Sequence, residues 1–273
     1  MLCLRVCCLG DIHYYGVRKD LERLARNIEG MCSEADAAVI VGDITSSGNL
    51  GYLEEVLGVV RRAIESLPIL VIPGNHDIYV LPDEVSKGIN SLLKVSMFNS
   101  LVEKLGCVAP MKKPYIVGST AFVGSIGWYD YSFAPDYLGL SLEDFRTKAF
   151  GLYVWADKDY VRLPFSDEEF TLHLLNMFEE HIKKIYNSVE KIVAVLHHLP
   201  FRKLVKYELR PEWGYFSAFM GSEAFGHVIK KYSKVKLVLY GHSHDGVETG
   251  VCKEVEGIKC CNCATPYPMI VDV

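Results

Sequence analysis

Hydrophobic and polar positions change along this chain in a way that predicts strands and helices in turn. Short apolar runs predict buried strands at residues 2–9, 37–41, 69–72, 192–196 and 235–240. Between the first three runs, apolar residues recur every three or four positions over 17–31 and 50–64, which predicts amphipathic helices. Strands that alternate with helices indicate an α/β fold in which helices cover the faces of a sheet.

The remaining pattern predicts further elements. A helix is expected at 91–105, and a hairpin at 115–117 and 121–125 around Gly118 and Ser119. The run Ser166-Asp-Glu-Glu169 has the spacing of a capping box and predicts the start of a long helix. A short helix is expected at 222–232, and the tail is expected to form antiparallel strands at 247–252, 258–263 and 269–273.

Residues 127–165 have no clear period, and eleven of these 39 residues are aromatic. A long segment of this kind inside a compact domain is usually a lid or a binding loop. We therefore expect one domain over residues 1–273 with a cap insertion at 127–165. Most of its aromatic side chains are interpreted as the core of the insertion. Tyr129 and Asp130 lie closest to the end of a predicted strand and are the candidates for substrate contact.

Composition narrows the possible partners. The chain has 273 residues, half of them hydrophobic, and a net charge of −5. This charge argues against a protein that binds nucleic acid through phosphate contacts. No apolar run is long enough to span a membrane, and the first residues lack the charged region of a signal peptide, so we expect a cytoplasmic protein. Nine cysteines are present, and Cys260 and Cys263 lie in a predicted strand, which favours buried small side chains over a zinc or redox pair.

Polar residues of one chemical kind follow five of the predicted strands. The segments are Asp11-Ile-His13, Gly42-Asp43, Gly74-Asn75-His76-Asp77, His197-His198 and Gly241-His242-Ser243-His244. Loops that leave the carboxyl ends of neighbouring strands meet at one place in an open α/β sheet. Asp, His and Asn side chains suit Mn, Fe, Zn or Ni. They are too many for one tetrahedral ion and fit two ions that share a carboxylate.

The order of these motifs resembles that of the calcineurin-like metallophosphoesterases, from Asp11 to His244. The resemblance implies a two-sheet β-sandwich flanked by helices. It also implies one ion held by Asp11, His13, Asp43 and His244, and a second held by Asp43, Asn75, His197 and His242. A hydroxide that bridges the ions would attack phosphorus, with Asp43 as the bridging carboxylate and His76 touching the phosphoryl oxygen. His198 is kept as the alternative to His197, because a shift of one residue at a strand end reverses the side chain.

The resemblance implies a metal-dependent phosphoesterase that acts on a small phosphorylated substrate. We expect a phosphodiester or nucleotide-type substrate and two divalent ions, with Mn favoured. A phosphomonoesterase and a non-catalytic metal-binding scaffold on the same fold are the alternatives. Asn75, His76, Tyr129, Asp130 and Arg202 are the expected substrate contacts.

One position departs from the family pattern. Many members carry Gly-Asp-x-x-Asp, in which the second acid orients the histidine of Gly-Asn-His, whereas this chain has Ser46 at that place. A serine could hydrogen-bond His76 but supplies no negative charge. This difference predicts a weaker general acid at His76 and a preference for substrates with good leaving groups.

Overall fold

The computed structural model of the protein describes residues 4–208, 210–244 and 247–273. Its strands are β1 Arg5–Leu9, β2 Ala37–Ile40, β3 Ile69–Val71, β4 Tyr115–Val117, β5 Thr120–Ser125, β6 Ala149–Phe150, β7 Tyr153–Val154, β8 Lys191–Leu196, β9 Val235–Tyr240, β10 Val251–Val255, β11 Ile258–Asn262 and β12 Met269–Asp272. Its α-helices are α1 Arg18–Cys32, α2 Leu50–Ala63, α3 Pro82–Val85, α4 Ser91–Lys104, α5 Leu142–Arg146, α6 Asp157–Tyr160, α7 Asp167–Ile185, α8 Pro211–Ser217 and α9 Glu223–Lys231.

The strands form two main sheets and one small hairpin. The first sheet has the order β12-β1-β2-β3, the second has the order β10-β11-β9-β8-β5-β4, and β6 pairs with β7. The pairs β1–β2, β2–β3, β5–β8 and β8–β9 are parallel. The carboxyl ends of these central strands therefore point to the same edge of each sheet, as the sequence predicts.

The side chains of β1 show how the layers pack. Val6 and Cys8 face a core shared with the second sheet, whereas Cys7 and Leu9 face the core beneath the helices α1, α2 and α4. Successive side chains of a strand point to opposite faces, so a strand buried on both faces is apolar throughout. The predicted two-sheet sandwich flanked by helices is confirmed.

Among the described residues, two disulfides connect these layers and one lies within a sheet. Cys8 of β1 bonds to Cys263 after β11 and so joins the two sheets, and Cys7 bonds to Cys32 of α1. Cys252 and Cys261 are direct cross-strand partners on β10 and β11 and also form a disulfide. Cys260 and Cys263 are both buried, as the sequence predicts. Cys260 is a free thiol, whereas the bond from Cys263 to Cys8 has no signal in the sequence.

Most sequence expectations for the elements hold, and the tail differs. Ser166 accepts a hydrogen bond from the backbone N–H of Glu169, which confirms the capping box of α7. The strand expected at 247–252 lies later, at β10, and β11 is parallel to β9 although it is antiparallel to β10. None of the described helices is long and apolar enough to cross a lipid bilayer.

Candidate metal centre

Backbone geometry at the strand ends places the candidate metal-binding motifs. Asp11, His13, Asp43 and His242 have left-handed φ values between 48° and 67°. Such values are uncommon for residues other than glycine and persist where the surrounding structure imposes them. Here the loops are tied together, since the backbone N–H of Asp11 donates to Gly42 O at 3.0 Å and that of His13 donates to Asp43 O at 2.9 Å. The sharp turns direct the side chains of separate strands toward one point.

The glycine after β3 allows two of these loops to touch. A Cβ atom on Gly74 would collide with the carboxylate of Asp43 and would lie 2.7 Å from Cε1 of His197. A residue without a side chain is therefore required for the backbone to pass this close to the two groups.

One group of converging side chains contains Asp11, His13 and His244. The Nε2 atoms of His13 and His244 are 3.3 Å apart. Oδ1 of Asp11 lies 3.9 Å from Nε2 of His13 and 3.7 Å from Nε2 of His244. These ligand atoms lie close enough to one another to hold a single ion.

A second group contains Asp43, His197 and His242, with Asn75 beside them. Nε2 of His197 lies 3.4 Å from Oδ2 of Asp43, 3.1 Å from Oδ1 of Asn75 and 3.2 Å from Nδ1 of His242. Oδ2 of Asp43 also lies 3.8 Å from Nε2 of His13. The same carboxylate oxygen therefore reaches both groups.

Hydrogen bonds behind the ligands fix their orientation. Nδ1 of His197 donates to Val41 O at 2.8 Å, which directs Nε2 to the centre. The carboxylate of Asp11 accepts from the backbone N–H of His242 at 3.1 Å, and Nδ2 of Asn75 donates to Oδ1 of Asp157 at 2.9 Å. Partners of this kind set the ring orientation and basicity of metal ligands.

The two adjacent histidines have different surroundings. His197 reaches the centre, whereas His198 packs against Trp128 and Tyr129, and its Nδ1 donates to Ile126 O at 3.1 Å. The structure therefore places His197, and not His198, among the clustered ligand atoms. Nε2 of His198 and Nε2 of His242 are buried without a hydrogen-bond partner.

Burial and charge shift the titration of these groups. Burial would lower the pKa of His197, but the neighbouring Asp43 carboxylate outweighs it and raises that pKa to about 9. Burial lowers the pKa of His13 to about 4 and raises the pKa of Asp11 to about 6. Burial would also raise the pKa of Asp43, but His197 and His76 hold it well below its ordinary value. The two histidines thus favour the charged form of the Asp43 carboxylate, which is the form that binds a cation.

His76 lies at the edge of the centre. Its ring is 4.7 Å from that of His13 and its Nδ1 donates to the backbone carbonyl of Ser46 at 3.0 Å. The Ser46 hydroxyl instead donates to His13 O, so the contact is made by the Ser46 backbone and not by its side chain. Burial would lower the pKa of His76, but Asp43 and this carbonyl raise it.

Three expected substrate contacts lie away from the centre. Tyr129 is fully buried and its hydroxyl donates to Asp157, while the carboxylate of Asp130 accepts from Ser132 and Ser222. The guanidinium of Arg202 contacts Ala134 O and Tyr207. None of the three lines the cavity at the centre. The sequence places Tyr129 and Asp130 beside a strand end but does not show that packing turns them inward.

A cavity of about 540 Å³ opens beside the centre. His13, Asp43, His76, His242 and His244 line one end. Much of the remaining wall is apolar and is contributed by Val154, Trp155, Val205, Trp213, Phe216 and Met220. Trp155 belongs to the predicted cap, but sequence reasoning missed the residues of α8 and its surroundings. Their signal is the aromatic run Trp213-Gly-Tyr-Phe-Ser-Ala-Phe219.

Comparisons with known proteins agree with this geometry. The sequence matches the family model of calcineurin-like phosphoesterases over residues 4–246. No curated protein sequence matches the chain at a significant level.

Three solved structures share the fold at low sequence identity. The phosphopantetheinyl hydrolase of Mycobacterium tuberculosis is 15% identical with a TM-score of 0.75, and the match covers 98% of this chain and 96% of that one. GAP50, the anchor in the inner membrane complex of Plasmodium, is 11% identical with a TM-score of 0.51 over 97% of this chain and 72% of that one. A putative 5′-nucleotidase of Staphylococcus aureus is 10% identical with a TM-score of 0.50 over 98% and 50% of the two chains. The family match over most of its length shows that the chain belongs to the calcineurin-like phosphoesterases, which are metal-dependent hydrolases.

Proposed function

We propose that this protein hydrolyses a phosphodiester with two divalent metal ions, one in each group of ligands. The observation that supports this most directly is the position of Asp43, whose Oδ2 lies within 3.8 Å of His13 and 3.4 Å of His197. A carboxylate shared between two groups of nitrogen and oxygen ligands is suited to a dinuclear centre.

The first ion is assigned to Asp11, His13, Asp43 and His244, and the second to Asp43, Asn75, His197 and His242. The residues fit such ions, since imidazole nitrogens from different loops lie 3.2 and 3.3 Å apart and a carboxylate oxygen lies beside each pair. Imidazole and carboxylate ligands suit Mn, Fe, Zn or Ni. We favour Mn, as expected from the sequence.

Bound divalent ions lower the pKa of water and neutralise charge that develops on a phosphoryl group. The chain itself holds the reacting groups in place. His76 donates from Nδ1 to Ser46 O, which leaves Nε2 available for a phosphoryl oxygen or a leaving-group oxygen.

We keep a limited general-acid role for His76, because its Nδ1 meets the Ser46 carbonyl and not a carboxylate. Aryl phosphodiesters should then be cleaved much faster than alkyl phosphodiesters, because their leaving group is a weakly basic phenolate that needs little protonation. Equal turnover of the two kinds of ester would contradict this role.

The cavity supports a diester more than a monoester. Lys206 is the one ammonium or guanidinium group among the described residues that line it, and its Nζ lies 3.1 Å from Oε1 of Glu208. A monoester carries a second negative charge that this wall does little to balance. A diester carries one charge and brings a second organic group, for which an apolar wall is available.

The test compares p-nitrophenyl phosphate with bis-p-nitrophenyl phosphate as substrates of metal-stripped protein to which Mn is added back. We expect turnover of the diester to require Mn and to be lost in Asp43→Asn. The matched control is Asp83→Asn, which changes an exposed carboxylate on α3 and should leave turnover intact. Faster cleavage of the monoester would favour a phosphomonoesterase. Two bound metal ions without turnover of either ester would favour a non-catalytic scaffold.

The three disulfides among the described residues bear on the cytoplasmic location that the sequence predicts. Disulfides of this kind are typical of oxidising compartments or of intracellular proteins from hyperthermophiles. A cytoplasmic location therefore requires the second setting. Mass spectrometry of alkylated protein from its native cell would show whether the pairs Cys7–Cys32, Cys8–Cys263 and Cys252–Cys261 exist there.

A further inference from the structure

The cavity at the centre has two chemically different ends. Metal-binding side chains and His76 line one end, and the aromatic and aliphatic side chains of the cap and of α8 line the other. A phosphate bound at the polar end therefore has its organic substituent beside an apolar surface. Apolar pockets with a few polar groups at one end are typical of sites for small organic ligands.

Trp155 forms a fixed part of this apolar surface. Its Nε1 donates to Oδ2 of the buried Asp157 at 2.9 Å, and its ring stacks on Phe219 with centroids 5.2 Å apart and planes 10° from parallel. The same ring is packed edge to face with that of His242, with centroids 5.7 Å apart. Phe219 covers one face of the Trp155 ring, so the remaining surface of that ring borders the cavity. The ring is thus already oriented beside His242, an expected metal ligand.

The adjoining part of the wall comes from α8 and the residues after it. Trp213 and Phe216 are nearly perpendicular, at 90° and 6.5 Å between centroids, and Phe216 lies 5.6 Å from Trp155. Met220 lines the cavity next to them. Aromatic rings prefer stacked and edge-to-face partners, and the rings of Trp155, Trp213 and Phe216 are the partners that this wall offers.

We propose that the apolar end of this cavity, the wall formed by Trp155, Trp213, Phe216 and Met220, selects phosphodiesters that carry a flat aromatic group. The inference rests on the proposed phosphodiester hydrolysis and names its substrate class. In the reaction, an oxygen of water forms a bond to phosphorus while the bond from phosphorus to the leaving oxygen breaks. The leaving oxygen keeps the electron pair and takes up a proton, and a phosphomonoester is released. A simple aryl group and a nucleobase share the required flat face.

Binding is tested with phosphonates, because their carbon–phosphorus bond is not hydrolysed. Phenylphosphonate, cyclohexylphosphonate and methylphosphonate are titrated into Mn-loaded protein by calorimetry. Phenyl and cyclohexyl groups have the same number of carbon atoms, so they differ mainly in flatness. We expect phenylphosphonate to bind about tenfold more tightly than methylphosphonate, which is the scale of stacking on one aromatic side chain. We expect it to bind at least about threefold more tightly than cyclohexylphosphonate.

A nucleoside 5′-phosphonate separates the two sources of a flat group. Tighter binding than phenylphosphonate would identify a nucleobase as the preferred group, and weaker binding would identify a simple aryl group. Either result supports a flat-group subsite when the phenyl preference is present.

Variants show whether the named wall is responsible. Trp155→Leu and Trp213→Leu should reduce the ratio of phenyl to methyl affinity to about threefold or less, whereas Trp155→Phe should keep most of it because a ring is retained. Trp213 is only partly buried, so Trp213→Leu preserves the test if Trp155→Leu does not fold. The control is Tyr115→Leu on the edge strand β4, an aromatic residue outside the cavity, which should leave the ratio unchanged.

Cyclohexylphosphonate binding as tightly as phenylphosphonate would overturn the flat-group class. Equal binding of phenylphosphonate and methylphosphonate would overturn the apolar subsite itself. Failure of the proposed function gives a different result, since bis-p-nitrophenyl phosphate would then not be hydrolysed by protein that contains both metal ions.

Discussion

The loops that hold the candidate metal ligands and the cap at 127–165 use their residues in opposite ways. In the loops, short motifs with left-handed backbone conformations direct Asp11, His13, Asp43 and His242 inward. In the cap, five of the eleven aromatic side chains are buried in the core, and Trp128, Tyr129 and Phe133 are fully buried. Ligand position depends on local backbone geometry, whereas the shape of the cavity depends on packing between distant segments.

Asp157 connects the two regions. This buried carboxylate of α6 accepts hydrogen bonds from Asn75, Tyr79, Tyr129 and Trp155 at 2.8 to 2.9 Å. One of these donors is an expected metal ligand and another is the fixed ring of the cavity wall. Substitutions at this junction, as well as within the loops and the cap, can therefore test how the two regions differ.

The largest effect is expected within the loops, for Gly74→Ala. The added methyl group would overlap the Asp43 carboxylate and approach Cε1 of His197 to 2.7 Å, so the shared ligand has to move. We expect at least about a hundredfold loss of phosphodiesterase activity, because displacements of about 1 Å at a catalytic centre have this effect. Metal content, measured by plasma mass spectrometry, should also fall.

Gly30→Ala is the matched control for this change. A Cβ on Gly30 in α1 meets no atom within 4 Å, and alanine in a helix should stabilise the fold by about 0.5–1 kcal/mol. Unchanged metal content in Gly74→Ala would contradict the idea that loop geometry determines ligand position.

A smaller effect is expected at the junction, for Asp157→Asn. The single amide oxygen accepts from two donors at most, so Asn75 competes with three other donors for it and its side chain is held less firmly. Loss of a partner behind a metal ligand typically reduces metal affinity about 10- to 100-fold. Calorimetric titration with Mn should show this loss at the ion assigned to Asn75, with a lesser change at the other.

Asp167→Asn separates this role from general damage to the cap. Asp167 is a second buried carboxylate and accepts from Trp128, Tyr131 and Lys148, but it contacts none of the expected metal ligands. Both variants should lower the free energy of unfolding by about 1–3 kcal/mol. Equal losses of Mn affinity in the two variants would remove the specific connection through Asp157.

The smallest effect is expected outside both regions, at a surface ion-pair cluster that serves as a reference for the larger effects. Glu179 on α7 accepts from Lys231 at 2.6 Å and from Tyr232 at 2.8 Å. The Lys231 hydrogen bond is the main cause that lowers the pKa of Glu179 to about 2. A carboxyl whose pKa is lowered by folding stabilises the protein above its unfolded pKa, near 4.5, and this stabilisation is lost as the pH falls toward 2.

Glu179→Gln should therefore lower the free energy of unfolding by about 1 kcal/mol at pH 7. The difference from the unmodified protein should disappear near pH 2. Urea unfolding of metal-free protein at both pH values measures this. A difference that persists at low pH would show that packing, and not charge, is responsible.

Prediction from sequence succeeded where the physical cause is local. Periodicity identified most strands and helices because one face of each element is buried, and the strand-end rule brought Asp11, Asp43, His197 and His242 together. It failed where distant segments decide the outcome. The Tyr129 hydroxyl is held in the core by Asp157, which lies 28 residues away in the sequence. Trp213 and Phe216 are distant in sequence from the other residues that line the cavity, and only the folded chain brings them together. The parallel pairing of β11 with β9 likewise leaves no local signal.

The disulfide between Cys8 and Cys263 closes a covalent ring across a separation of 255 residues. Every loop of the metal centre and the whole cap lie inside this ring. A protease that cuts one of these loops would therefore leave both pieces joined, and the cut chain would keep its full mass on a gel run without reductant. Limited proteolysis therefore maps the accessible loops only when the digest is reduced before the gel is run.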